Sequence, residues 1–200
     1  MFSLPRRLPV FLSLVLLGSC QPRYADLPTF SPEHRLPQMV VEMPAGTNHD
    51  QRYNPATNSF EPRRIAGLEA VVEFLPAPGN LGFVAGTSAG AAEAEPGSPL
   101  PVLVLAEAAP AGTVQEVVPV ALLTLDIRGS LQPVVVAVPA RPAQRILPLA
   151  TDWATLNRHY PRVRDFLTLW FRHRRHPTET RIVSWKDEKA ANQLIRRWMK

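Results

Sequence analysis

Cysteine is almost absent from this sequence: 200 residues contain a single one, Cys20. A lone cysteine closes no intrachain disulfide, which excludes a disulfide-built scaffold. Aromatic residues are scarce as well, at 8%, so no interleaved platform for stacking bases is evident. Helix-turn-helix, zinc-finger and RNA-binding signatures are also missing, and nucleic acid is therefore not an expected partner. The histidines, His34, His49, His159, His173 and His176, lack the H-x-x-x-H and H-E-x-x-H spacings of a zinc site. Ser88 and Ser98 lack the surroundings of a nucleophile elbow. "GTSAG" (86–90) lacks the lysine and following hydroxyl of a phosphate loop.

What is abundant is proline, 22 residues of 200, against a usual level of about 5%. Such a chain favours short strands, turns and stiff loops over long helices. At the N-terminus, two arginines in "MFSLPRR", the apolar run "LPVFLSLVLL" (8–17) and the small residues of "LGSC" (17–20) read as a secretory signal over residues 1–19. The apolar run is too short to span a bilayer comfortably. "LGSC" resembles the bacterial lipobox, which implies lipidation of Cys20. The expectation is then a lipid-anchored protein of the bacterial cell envelope, facing the periplasm, with Gln21 compatible with outer-membrane sorting. Residues 20–37, polar and proline-rich, read as a tether, and residues 38–200 as one domain.

Charge is polarised along the chain. Residues 21–157 carry 8 basic and 13 acidic side chains, and residues 158–200 carry 12 basic and 4 acidic. The basic end is compatible with anion or membrane contact. "QMVVEM" (38–43) reads as a strand ended by Pro44, "NPATNS" (54–59) as a hairpin connection, and "LEAVVEFLP" (68–76) as a strand. The Ala/Gly stretch 85–99 reads as a loop. "VLVL" (102–105) is wholly apolar, as a strand buried on both faces would be. "TVQEVVPVALLTLDIR" (113–128) and "PVVVAVP" (133–139) supply further β-branched strands. The period then changes. Val163, Phe166, Leu167, Trp170 and Phe171 fall on one helical face. Ala190, Ala191, Leu194, Ile195 and Trp198 fall on another, with Ser184 or Asp187 as its cap and "TRIVSW" (180–185) as a strand before it.

The order of these pieces resembles the soluble inorganic pyrophosphatase family. The residues that carry the resemblance are "VVEMP" (40–44), "NLGF" (80–83), "PGSPLPVLVL" (96–105), "AGTV" (111–114), "VPVALL" (118–123) and "AVP" (137–139). Phe171-Arg172 and Ser184-Trp185 with Ala190-Ala191 complete it. The fold this implies is mainly β with α, a five-stranded OB-like closed barrel flanked by two C-terminal helices.

The activity the resemblance implies is Mg²⁺-dependent hydrolysis of diphosphate, with several cations held by carboxylates and the phosphates held by lysines, an arginine and tyrosines. The family's three motif aspartates fall on Pro96, Ser98 and Pro101. Its two later aspartates fall near Ile127 and on Gln132, and its lysines on Gln51 and Val134. Its tyrosines fall on Leu81 and Phe171. Glu42 and the displaced Asp126 remain as candidate metal ligands, Arg64 and Arg172 as candidate anion-binding residues. Glu42 is equally compatible with an ion-paired strand residue, and the two arginines with charged surface. Glu93, Glu95 and Glu107 with Glu42 and Asp126 would make a smaller carboxylate cluster for one cation. The functional expectation is a pyrophosphatase-like binding or structural module of the envelope that does not hydrolyse diphosphate, with no cofactor assigned to it. The alternative is a Mg²⁺-dependent diphosphatase. Phosphate or diphosphate is the expected anion, the membrane is reached through Cys20, and a homo-oligomer is compatible with the family.

Overall fold

The computed structural model describes residues 23–91, 93, 95–174 and 180–200. The signal segment 1–19 and the lipidation candidate Cys20 lie outside these residues.

The strands run in chain order as β1 (Gln38–Met43), β2 (Gln51–Asn54), β3 (Ser59–Pro62), β4 (Arg64–Ile65), β5 (Leu68–Glu69), β6 (Asn80–Val84), β7 (Pro101–Val104), β8 (Val114–Ile127) and β9 (Ser130–Pro139). Two helices, α1 (Trp153–His159) and α2 (Pro161–His173), precede β10 (Thr180–Asp187), and α3 (Glu188–Arg197) follows it. One mixed sheet has the order β1-β6-β7-β9-β8-β10. Only β7 and β9 pair in parallel within it. Two small hairpins, β2-β3 and β4-β5, stand beside it. The first turns through "NPATNS", as the sequence predicts.

The expected five-stranded barrel with two helices is corrected here. Among the described residues the main sheet has six strands, and three α-helices lie after β9 in the chain. The reason lies in the length of β8. Fourteen residues are too many for one neighbour on that edge. β1 pairs with Val114–Glu116 at its start, and β10 pairs with Ala121–Ile127 at its end. β10 therefore extends the sheet as a strand with one sheet neighbour. "LEAVVEFLP" also departs from expectation, since only Leu68–Glu69 pairs as a strand.

The apolar strand runs follow from burial on both faces. Leu103, Leu123, Val134 and Val136 point into one core with Leu156, Leu167, Trp170 and Phe171 of α1 and α2. Val102, Val104, Leu122 and Val135 point the other way, against Ala191, Leu194 and Ile195 of α3. Each such Val or Leu contributes roughly 1.5–3 kcal/mol by burial. Helix α2 starts at Pro161, where the missing N–H costs nothing. Its inner face is Leu167, Trp170 and Phe171, while Phe166 is 43% exposed instead of joining that face. Helix α3 is capped by Asp187, whose Oδ1 accepts from Ala190 N at 3.0 Å. Helix α1 begins with a capping box in which Thr155 N donates to Asp152 Oδ1 at 2.7 Å and Asp152 N donates to Thr155 Oγ1 at 3.0 Å. Of the stretch read as a tether, the described residues 23–37 pack against β1, β6 and the β2–β3 hairpin. Tyr24 packs edge-on to Tyr53 and Phe60, and Phe30 bridges to Pro37.

The charge polarity seen along the chain resolves into ion pairs between its two parts. Arg174 meets Asp50, Arg181 meets Asp126 and Arg197 meets Glu93.

Candidate functional site

A cavity of about 220 Å³ opens where β1, β2, β6, β8, β9 and the end of α2 converge. It gathers the positions onto which the resemblance projects metal and phosphate ligands. Gln51, Leu81, Pro101, Gln132, Val134 and Phe171 all line it, as does Ile127. Strand alternation explains the grouping. On β9, Gln132 and Val134 share one face, and on β8 so do Leu125 and Ile127.

Glu42 also lines the cavity. Its Oε1 accepts from Tyr53 N at 2.8 Å, which joins β1 to the β2 hairpin. Burial pushes this carboxyl above the ordinary glutamate range, against the opposing bond from Tyr53 and the charge of Arg52. A folded pKa above the unfolded one means that Glu42 favours folding fully at pH below its unfolded pKa. That contribution is lost as pH rises through the folded value. Glu42→Gln retains an acceptor for Tyr53 N–H and removes the buried charge. The variant should be at least as stable as the parent near pH 8, with the parent gaining relative to it as pH falls toward about 4. Thermal melts across that range test this. A variant deficit that widens as pH rises would contradict it.

The second carboxylate at the cavity is Asp50. It is buried between two arginines, with Arg63 Nη1 at 3.4 Å from Oδ2 and Arg174 Nη2 at 3.4 Å from Oδ1. Arg174 lies over the Trp170 ring, its guanidinium carbon 5.3 Å from the centroid. Burial draws its pKa down and Asp50 draws it up. An arginine in this setting stays charged.

The sequence-predicted anion ligands fall one and two residues from this centre. Arg64 is exposed on β4, and its neighbour Arg63 makes the bond to Asp50. Arg172 is exposed, whereas Arg174 faces inward. Helical phase could have found it, because Arg174 is i+4 from Trp170 and i+7 from Leu167, both on the buried face. Asp126 does not line the cavity. It accepts from Gly129 N at 2.7 Å within the β8–β9 turn and pairs with Arg181. Arg181 and then Gly129 hold its carboxyl below the usual aspartate range. The displacement in register that would have carried Asp126 inward is absent there, since β8 bulges at Pro119–Ala121. Glu93 pairs with Arg197 at 3.1 Å, and Glu95 and Glu107 are exposed. Thus the smaller carboxylate cluster that these residues could have formed does not assemble among the described residues. Among the described residues no three His, Cys, Asp or Glu side chains stand close enough to hold a metal ion.

This donor set does not fit magnesium, which takes hard oxygen ligands, chiefly carboxylates and water. Burial works against the charged form of Glu42, whose Oε1 accepts from Tyr53 N, Asp50 is held by two arginines, and Arg174 places positive charge at the same wall. Pro101 supplies no side-chain donor. Ser98 turns its hydroxyl to Glu95 O at 2.6 Å. Asn80, next to Leu81, fixes the loops around β6. Its Oδ1 accepts from Ala45 N and Ala109 N, and its Nδ2 donates to Glu107 O.

A family model described as inorganic pyrophosphatase matches residues 39–200. No curated protein matches this chain. Among solved structures, the inorganic pyrophosphatase of Thermus thermophilus is 23% identical with a TM-score of 0.73, over 89% of this chain and 97% of that one. The type I enzyme of Toxoplasma gondii is 21% identical with a TM-score of 0.74, over 88% and 84%. A truncated vacuolar soluble pyrophosphatase of Trypanosoma cruzi, in complex with PPi, is 16% identical with a TM-score of 0.74, over 88% and 75%. The lipid-anchored envelope placement is corrected by these findings. The matches are inorganic pyrophosphatases, one of them described as vacuolar and soluble, and no helix among the described residues is long and apolar enough to cross a membrane.

Proposed function

The chain belongs to the inorganic pyrophosphatase family, and from that premise we propose that it is a binding module on the pyrophosphatase fold that does not hydrolyse diphosphate. The observation that carries this reading is the state of the two carboxylates at the cavity, Glu42 and Asp50. Glu42 Oε1 accepts from Tyr53 N–H in a buried setting, and both oxygens of Asp50 are held by arginines of the chain itself. A metal-assisted hydrolysis needs carboxylates free to hold cations that generate the nucleophile and clamp the charge. Fold membership does not supply that chemistry; the residues at the site do. The positive charge that remains at the cavity, from Arg174 with Arg52 and Lys200 at its rim, favours an anion as ligand.

The commitment of the carboxylates can be tested without any turnover assay. Mn²⁺ takes the same hard ligands as Mg²⁺ and is visible by electron paramagnetic resonance when free. Titrated into the purified chain, it should give the same free-ion signal as in buffer. A saturable loss of that signal, absent in Glu42→Gln, would support the diphosphatase alternative and end the present reading.

A further inference from the structure

The cavity is lined by the sheet and also by the first turn of the described chain, where Tyr24 and Ala25 reach it. These two belong to an arm, residues 23–27, that is fixed at one end. Thr29 and Ser31 are buried, at 5% and 4% exposed. Thr29 Oγ1 donates to Gly86 O at 3.0 Å, Gln38 N donates to Thr29 O at 2.9 Å, and Phe30 bridges to Pro37. Ahead of that anchor the attachment thins. None of residues 23–28 is buried. Among the described residues, no backbone–backbone hydrogen bond ties residues 23–27 to the sheet.

Side-chain contact holds the arm down instead. Arg23 Nη2 donates to Pro55 O at 3.3 Å in an exposed bond. Tyr24 sits edge-on to Tyr53 and Phe60, with ring centroids 5.4 and 5.3 Å away. Gly112 leaves room for it, since a Cβ there would stand 2.6 Å from the Tyr24 hydroxyl oxygen. Tyr53 and Pro55 also line the cavity, so the arm is held to the cavity's β2 side. A segment with few backbone bonds and half-exposed contacts opens at lower free energy than the sheet beneath it.

We propose that residues 23–27 are a flap on the cavity, hinged at Pro28–Thr29 and latched by Tyr24, and that entry to the cavity follows release of the latch. The flap deepens the binding-module reading, on which it rests, by adding control of access to the same site.

Cysteine labelling tests this on the full chain. A Cys20→Ser background removes the single native cysteine. Three positions then report separately. Val134→Cys lines the cavity, Val136→Cys lies on the same strand in the core without lining it, and Ser130→Cys is exposed. Iodoacetamide should label Val134→Cys at least about tenfold more slowly than Ser130→Cys. Adding Tyr24→Ala should speed Val134→Cys at least about fivefold, while Val136→Cys changes less than about twofold. Tyr24→Phe keeps the ring and should keep the slow rate. Four results would each overturn the flap: Val134→Cys as fast as Ser130→Cys, no response to Tyr24→Ala, equal acceleration at Val136→Cys, or Tyr24→Phe as fast as Tyr24→Ala. The labelling uses neither metal nor diphosphate, so its failure leaves the non-hydrolysing reading standing. Phosphate release from diphosphate would refute that reading and leave the labelling result in place.

Discussion

Alanine in place of Gly82 should lower stability by at least about 3 kcal/mol, which for a chain of this length is a fall of about 6–12 °C in Tm. Gly82 sits mid-strand in β6, whose five residues are all buried. It pairs with Val41 on β1 and with Val102 on β7. A methyl group there would overlap the Val40 carbonyl oxygen and stand 2.9 Å from its carbon and 3.1 Å from Glu42 N. All three are backbone atoms of β1, so no side-chain rotation relieves the clash. β1 must move away from β6, and Glu42 and its bond to Tyr53 travel with it. The effect is one of space alone, because Gly82 is not among the glycines with positive φ. Against a total stability of about 5–15 kcal/mol, such a loss is severe. Differential scanning calorimetry measures it, and a fall under about 2 °C would show that the β1–β6 contact yields easily.

The same strand shows why some of the fold was legible and some was not. β1, β8 and β9 announce themselves because strands buried on both faces are continuously apolar. β6 did not, since "NLGF" carries an asparagine and a glycine that locally signal a turn. Their reasons are tertiary: Asn80 bonds three loop backbones, and Gly82 admits β1. Helices α2 and α3 followed from periodicity. Helix α1 was missed because it is 7 residues long with only Leu156 buried, and its capping box uses threonine where glutamate is the usual signal. Strand order is not written locally at all. The sharing of one β8 edge by β1 and β10, which overturned the five-stranded barrel, depends on where distant segments land.

The site was legible by position more than by residue. The projected ligand positions do converge on one cavity, but Arg64 and Arg172, to which the resemblance points, stand on exposed faces. Arg63 and Arg174, which hold Asp50, differ from them by strand alternation and helical phase. Asp50 itself lies just before β2 and carries no periodic signal. Asp126 looked available as a spare carboxylate. It is consumed by the turn at Gly129 and by Arg181, a partner 55 residues away in sequence.

The central claim is that the family's fold persists here without its hydrolysis, and the largest expected effect is on rate. Enzymes commonly accelerate their reactions by about 10⁶-fold or more, and removing a single preorganised electrostatic group costs roughly 10²–10³. Pro96, Ser98 and Pro101 alone stand at three such positions by resemblance. The losses do not simply multiply, because groups that act as one unit fail together. On this reading Glu42, buried and bonded to Tyr53 through Oε1, and Asp50, shared by Arg63 and Arg174, are poor substitutes for those groups. The most direct measurement is phosphate release from diphosphate by the purified chain with excess Mg²⁺, compared with Mg²⁺ in buffer and with the Glu42→Gln variant. The expected result is one rate for all three. Mg²⁺-dependent release well above buffer, abolished in Glu42→Gln, would contradict the claim and restore the chain to its family's chemistry.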